Sequence, residues 1–196
     1  QQFYPAVSSM ILGFVPVLGL FVLVYGYYFR HGISGLVGGC GVGYFSIIYL
    51  GGLACFALGV RISFGLWAFL LYVSVVKASD IGAYTFGKIW GKHKFSPAIS
   101  PGKTWEGMGG GVIFGCVTAF LFAYFCNIMP GWTGMLFGVV FAFTGQFGDL
   151  MESLVKRDTE RKDSANSVPG FGGLLDLLDS PLAAAPVAYL FFYFVV

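Results

Sequence analysis

"GVIFGCVTAFLFAYF", Gly111 to Phe125, carries no charge and is apolar on every side of any element drawn through it. A strand of a transmembrane barrel would alternate apolar and polar residues, so the stretch reads as a span of a helical membrane protein. "LFVLVYGYYF", Leu20 to Phe29, reads the same way. The 196-residue chain is 57% hydrophobic and only 10% charged, the composition of a polytopic membrane protein rather than a soluble domain. A helix needs about 20 apolar residues to cross a bilayer. Candidate runs are Met10 to Phe29, a run within Ile33 to Val60, Ile62 to about Tyr84, Met108 to Ile128, Trp132 to about Leu150, and Pro181 to Val196. The expected fold is therefore all-α, a bundle of about six transmembrane helices forming a single membrane-embedded domain over residues 1–196. No charged leader precedes the first run, and an N-terminally truncated chain is expected.

Charge falls in two blocks, Asp80 to Glu106 with Lys77 just before it, and Asp149 to Asp179. Between them lie two spans joined at "NIMPGW", a Pro-Gly turn. Two consecutive spans form a hairpin, so both blocks emerge on one face. Lys88, Lys92, Lys94, Lys103, Lys156, Arg157, Arg161 and Lys162 gather there, which by the positive-inside rule makes that face cytoplasmic. A net charge of +2 is too small to argue for a nucleic-acid partner. Cys40, Cys55, Cys116 and Cys126 lie in apolar runs without a C-x-x-C pair and read as packing residues. Gly107, Gly111 and Gly115, then Gly134 and Gly138, recur at the spacing that lets membrane helices approach closely.

Within the second block, Asp149, Ser153, Lys156 and Arg157 stand at i, i+4, i+7 and i+8, on one face of a continuing helix. The two cations alone would serve as a snorkelling collar at the headgroups. Asp149 argues for more, because an acid just inside an apolar span is costly and points to function. Asp176 and Asp179 also share a helical face, with no base beside them in sequence. Such paired carboxylates call for a cation, and hard oxygen ligands favour Mg²⁺ or Ca²⁺ over zinc. His31 and His93 are isolated, and His93, between Lys92 and Lys94, reads as a solvated loop residue.

"AISPGKTWEGMGGG", Ala98 to Gly111, contains Gly-Lys-Thr but is no P-loop. That motif needs glycine five residues before Gly102, where Pro97 stands, and a preceding strand. Lys103 and Thr104, with Glu106 beside them, remain available to phosphate in a loop shaped by Pro101 and Gly102. Asp80 is expected at the cytoplasmic end of its span, where pairing with Lys77 three residues earlier and a role in the site are equally consistent readings. Carboxylates for a divalent ion and bases for anions, on one polar face, are the parts that phosphoryl transfer uses.

These residues resemble the CDP-diacylglycerol synthases, or phosphatidate cytidylyltransferases. The family signature runs Ser-x-x-Lys-Arg, four residues, Lys-Asp, then Pro-x-His-Gly-Gly-x-x-Asp-Arg-x-Asp. Ser153, Lys156, Arg157, Lys162, Asp163, Pro169, Gly172, Gly173, Asp176 and Asp179 fall at its positions. The upstream "SDIGAYTFGKIWGKHKFSPAISPGKTWEG" is similar to the family's Ser-Pro-Gly-Lys-Thr loop, so the resemblance spans residues 77 to 185. Phe171 stands where the family usually has His, Leu177 where it has Arg, and Val168 is a milder change; the expectation is an active member of a divergent branch.

The resemblance implies formation of CDP-diacylglycerol and pyrophosphate from CTP and phosphatidate, with Mg²⁺ as cofactor and a second cation such as K⁺ left open. It implies metal ligation by Asp149, Asp176 and Asp179, and phosphate binding by Lys156, Arg157 and Lys162, with Asp163 orienting one of these bases or holding a second cation. Asp80, Ser100, Lys103, Thr104, Ser153, Gly172 and Gly173 would contact substrate. It also implies a homodimer. Two other functions fit parts of the pattern. A CTP-dependent kinase of a polyprenol or phytol would use the same nucleotide. A secondary transporter would also place Asp80 and Asp149 at span ends, but calls for ionisable residues near mid-membrane on several spans, and these spans carry almost none.

Overall fold

The computed structural model of the chain describes residues 19, 21–30, 32, 40–41, 44–45, 47–97, 99–158 and 174–195, with the backbone alone at 152, 155–158 and 174–177. Two compact units result, Gln1–Cys55 and Phe56–Val196. In the first, residues 21–30 are helical and Ile47–Gly52 forms a π-helical turn. The second contains α1 (Leu53–Ser63, from Phe56 onward), α2 (Gly65–Trp90), β1 (Lys94–Ser96), β2 (Ser100–Thr104), α3 (Trp105–Cys126), α4 (Gly131–Asp158) and α5 (Leu174–Val195).

The helical membrane fold is as the uncharged runs imply, but the number of spans differs. Among the described residues four helices are long and apolar enough to cross a membrane, α2, α3, α4 and α5. Much of the expected run Met10–Phe29 and the first part of Ile33–Val60 lie outside the described residues, and Ile47–Ser63 is apolar but shorter than a span. The chain breaks between α1 and α2 at Gly65, whose φ of +89° is left-handed and suits glycine.

The 26 residues of α2 extend about 39 Å at 1.5 Å each, more than the hydrocarbon core of about 30 Å. The helix therefore runs on past Asp80 as far as Trp90. Lys77 Nζ meets Asp80 Oδ2 at 3.0 Å, one turn away, so neither charge is left alone. α5 begins at Leu174, before the expected Pro181, and carries both Pro181 and Pro186 inside it. Membrane helices tolerate such prolines because neighbouring helices re-satisfy the freed carbonyls.

The segment expected to be a loop around Pro101 and Gly102 is a two-stranded antiparallel hairpin, with Lys94 opposite Thr104 and Ser96 opposite Ser100. Pro101 fits there because a strand with a single neighbour need not donate from every residue. Thr104 caps α3: its Oγ1 accepts the Gly107 N–H at 3.1 Å. Glu106 closes the base of the hairpin. Its carboxylate accepts the backbone N–H groups of Lys92 and His93, at 3.2 Å each, and His93 Nδ1 lies 2.6 Å from Glu106 Oε1.

The regularly spaced glycines are contact points within the chain. A Cβ on Gly82 of α2 would lie 2.6 Å from the Gly110 carbonyl of α3, and one on Gly115 would lie 3.0 Å from the Gly138 carbonyl of α4. Close backbone approach of this kind is what small residues allow in lipid.

Apolar and polar residues separate lengthwise along the bundle. Early in α2 the buried residues are Leu71, Tyr72, Val75 and Val76, which join Phe137 and Phe141 of α4 and Ala188 and Phe192 of α5 in one core. Phe137 stacks on Phe141 with ring centroids 3.9 Å apart. Further along, the same helices turn polar: Asp80 on α2, Gln146 and Asp149 on α4, and, because α5 starts at this end, Asp179 and Ser180. The polar end is where the site forms.

Candidate active site

A cavity of about 600 Å³ opens at the polar end. α2 contributes Lys77, Asp80, Tyr84 and Lys88 to its wall, and the hairpin contributes Ser100, Lys103 and Thr104. Gln146 and Asp149 come from α4, Asp179 and Ser180 from α5. The two charged blocks, separated in sequence by a membrane hairpin, thus face one another across a single space.

Lys103 makes the joint between them. Its ammonium stands 2.7 Å from Asp149 Oδ2 and donates to the Gln146 carbonyl at 2.8 Å, with only 13% of the side chain exposed. Gly102 and Pro101 precede it on a short strand, and Thr104 fixes the strand to α3, so the lysine is delivered from a rigid base. Asp179 is 2% exposed, and its Oδ1 accepts the Ser180 N–H at 2.6 Å and the Ser180 hydroxyl at 3.3 Å. The charges of Asp149 and Asp179 both act on Asp80. Three carboxylates sharing one cavity repel each other unless cations intervene, and Lys77 and Lys103 each neutralise one.

The predicted site residues divide as follows. Asp80, Ser100, Lys103, Thr104, Asp149 and Asp179 line the cavity. Thr104 spends its hydroxyl on the α3 cap, while Ser153 is half-buried on α4 one turn beyond Asp149 and is not among the lining residues. Lys156 and Arg157 continue α4, and Asp176 lies in the first turn of α5, all known by backbone alone. Lys162, Asp163, Gly172 and Gly173 lie outside the described residues, as does Phe171. Polar wall residues that escaped the sequence reading as site members include Lys77, Tyr84, Lys88, Gln146 and Ser180. A polar Gln146 three residues before Asp149 in an otherwise apolar run was the available signal.

Among the described residues no three His, Cys, Asp or Glu side chains converge as a ready-made metal cage. Magnesium seldom requires one: it keeps several waters and takes one or two protein carboxylates together with substrate phosphates. Hard-oxygen donors on two adjoining helices, Asp149 and Asp179, with lysines beside them for the phosphates, fit that ion.

The model of the cytidylyltransferase family matches residues 2–195 of the chain. The chain belongs to that family. It is 43% identical over 124 residues to the phosphatidate cytidylyltransferase of Mycobacterium bovis, a match covering 63% of this chain and 40% of that one. It is 45% identical over 132 residues to the enzyme of the same name from Haemophilus influenzae, 64% of this chain and 46% of that one. The uncharacterized protein YnbB of Escherichia coli is 32% identical over 194 residues, covering 95% of this chain and 64% of its own. The chain thus spans roughly two fifths of the length of the Mycobacterium relative.

Proposed function

We propose that this cytidylyltransferase makes CDP-diacylglycerol and pyrophosphate from CTP and phosphatidate, in the cavity walled by α2, the hairpin, α4 and α5. The observation that carries the reading is the meeting of Lys103 and Asp149 at 2.7 Å, which brings the two signature-bearing blocks to one cavity at the polar end of a membrane bundle. The names of the Mycobacterium and Haemophilus relatives support it.

A phosphate oxygen of the lipid attacks the α-phosphorus of CTP, a new P–O bond forms, and the bond to pyrophosphate breaks. A phosphomonoester loses its second proton with a pKa of about 6, so the nucleophile is ionised at neutral pH and no protein base is needed. The task of the chain is to hold two anions together. Lys77 and Lys103 on the cavity wall, and Lys156, Arg157 and Lys162 by resemblance, supply positive charge, with Asp163 orienting the bases. Asp149 and Asp179, with Asp176 by resemblance, would hold Mg²⁺, which when bound neutralises phosphate charge; a K⁺ ion beside it remains open. The polar end faces the cytoplasm, where CTP is found and where the basic residues belong. The protein works as a homodimer in the lipid bilayer.

Purified protein given CTP labelled at the α-phosphorus, phosphatidate and Mg²⁺ tests this. The expected products are labelled CDP-lipid and free pyrophosphate. Labelled CDP with phosphorylated lipid would instead indicate a lipid kinase.

A further inference from the structure

Among the described residues, three lysines line the cavity wall: Lys77, Lys103 and Lys88. The first two are each bonded to a carboxylate, Lys77 to Asp80 and Lys103 to Asp149. Lys88 has no ion-pair partner among the described residues; its ammonium rests 5.7 Å from the centre of the Tyr84 ring, one turn earlier on the same helix. Tyr84 is 69% exposed and lines the cavity too.

Position along α2 distinguishes Lys88 from Lys77. The helix starts at Gly65, and about 20 residues suffice to cross the bilayer, so Tyr84 and Lys88 stand at headgroup level, where aromatic and basic side chains anchor helices. Asp80 lies two turns, about 12 Å, deeper along the axis. The Lys77–Asp80 pair thus lies deeper along α2 than Lys88, which stands, uncompensated among the described residues, over an exposed aromatic ring.

We propose that Lys88, steadied by Tyr84, binds a phosphomonoester at the cavity rim, and that this group is the phosphate of the lipid substrate rather than a phosphate of the nucleotide. The inference rests on the reading of the chain as a phosphatidate cytidylyltransferase. A lipid tethered in the bilayer presents its phosphate at headgroup depth, which is the depth of Lys88. The phosphates of the nucleotide are taken by the groups already paired across the cavity, Lys103 with Asp149 and the carboxylates beside them. Among the described lysines of this wall, the ammonium without a carboxylate partner accepts a dianion without first breaking an ion pair. Lys88 is thus assigned as a substrate-binding residue that sets affinity for one substrate of the two.

The test uses the purified protein as wild type, Lys88→Gln, Lys88→Arg and, as a control for net charge, Lys92→Gln, whose exposed side chain lies off the cavity. Two readouts are taken: KM for short-chain phosphatidate and for CTP, and the thermal stabilisation of detergent-solubilised protein by each compound alone. The expected result for Lys88→Gln is a KM for phosphatidate raised about tenfold, in keeping with loss of one charge-assisted hydrogen bond, and a KM for CTP within about twofold of wild type. Stabilisation by phosphatidate should fall while that by CTP is kept, Lys88→Arg should restore both, and Lys92→Gln should change neither. A Lys88→Gln protein that loses affinity for CTP instead would overturn the assignment to the lipid. Unchanged binding of both would overturn the site itself. If wild type is stabilised by neither compound, the functional reading beneath the proposal fails with it, a result separable from the others because it appears before any substitution is made.

Discussion

Lys103 Nζ lies 2.7 Å from Asp149 Oδ2 and 2.8 Å from the Gln146 carbonyl, so one side chain of the hairpin ties the start of α3 to the polar end of α4. Replacing it with methionine keeps the length of the side chain and removes the charge. Lys103→Met should loosen the hairpin, so that trypsin cuts at Lys92 or Lys94 several-fold faster, and should lower turnover by about tenfold or more, since a mostly buried charged hydrogen bond is worth about 1.5–3 kcal/mol. Lys103→Arg should keep part of both properties. Wild-type cleavage and turnover in the methionine variant would show that the contact neither holds the hairpin nor serves the chemistry.

The contact between α2 and α3 depends on Gly82. A Cβ there would lie 2.6 Å from the Gly110 carbonyl, backbone that has little room to yield, whereas one on Gly109 of α3 would meet nothing within 4 Å. Gly82→Ala should destabilise the bundle by about 1–3 kcal/mol, the range for overpacking. Gly109→Ala should be neutral or stabilising by up to about 1 kcal/mol, because alanine is the better helix former. Thermal unfolding in detergent compares the two; equal effects would mean that α2 and α3 are not packed backbone to backbone.

What was legible in the sequence follows from what membranes demand. Long uncharged runs located α3 to within a few residues, since a bilayer requires such runs. The expected runs stop short of one end of α2, α4 and α5 because hydropathy fades among charges and at proline, while the helix does not. Asp80 stays helical because Lys77 answers it one turn away, and Pro181 sits within α5 with bundle neighbours around it. The hairpin was hidden because "SPGKT" is made of turn-forming residues, and a two-stranded pairing leaves almost no periodicity to read. Asp149 was singled out by its cost in an apolar setting, Asp179 by sharing a helical face with Asp176, and Asp80 by its place at the end of a span, with Lys77 as a readable partner. That Lys103 would meet Asp149 was not readable, because they meet only through the packing of α3 on α4.

Topology offers an independent check. The hairpin and the cavity should face the cytoplasm, and the α3–α4 turn, which begins at the left-handed Asn127 and carries the exposed Trp132 just beyond it, should face the opposite side. In a background lacking Cys40, Cys55, Cys116 and Cys126, a membrane-impermeant thiol reagent should label Lys94→Cys from the cytoplasmic side alone and Trp132→Cys from the other. Labelling of both from one side would remove the hairpin of spans on which the shared cavity depends.

Asp149→Asn bears most directly on the claim that this cavity joins CTP to phosphatidate. The amide keeps the shape of the side chain and a hydrogen bond to Lys103, but removes the charge that would hold a divalent ion, and Asp149 is exposed enough that the fold should lose no more than about 1 kcal/mol. Pyrophosphate release from CTP, measured with phosphatidate present at limiting Mg²⁺, should fall by about a hundredfold or more and recover in part at high Mg²⁺ or Mn²⁺. Wild-type pyrophosphate release by the Asp149→Asn protein under those conditions would contradict the assignment of the reaction to this cavity.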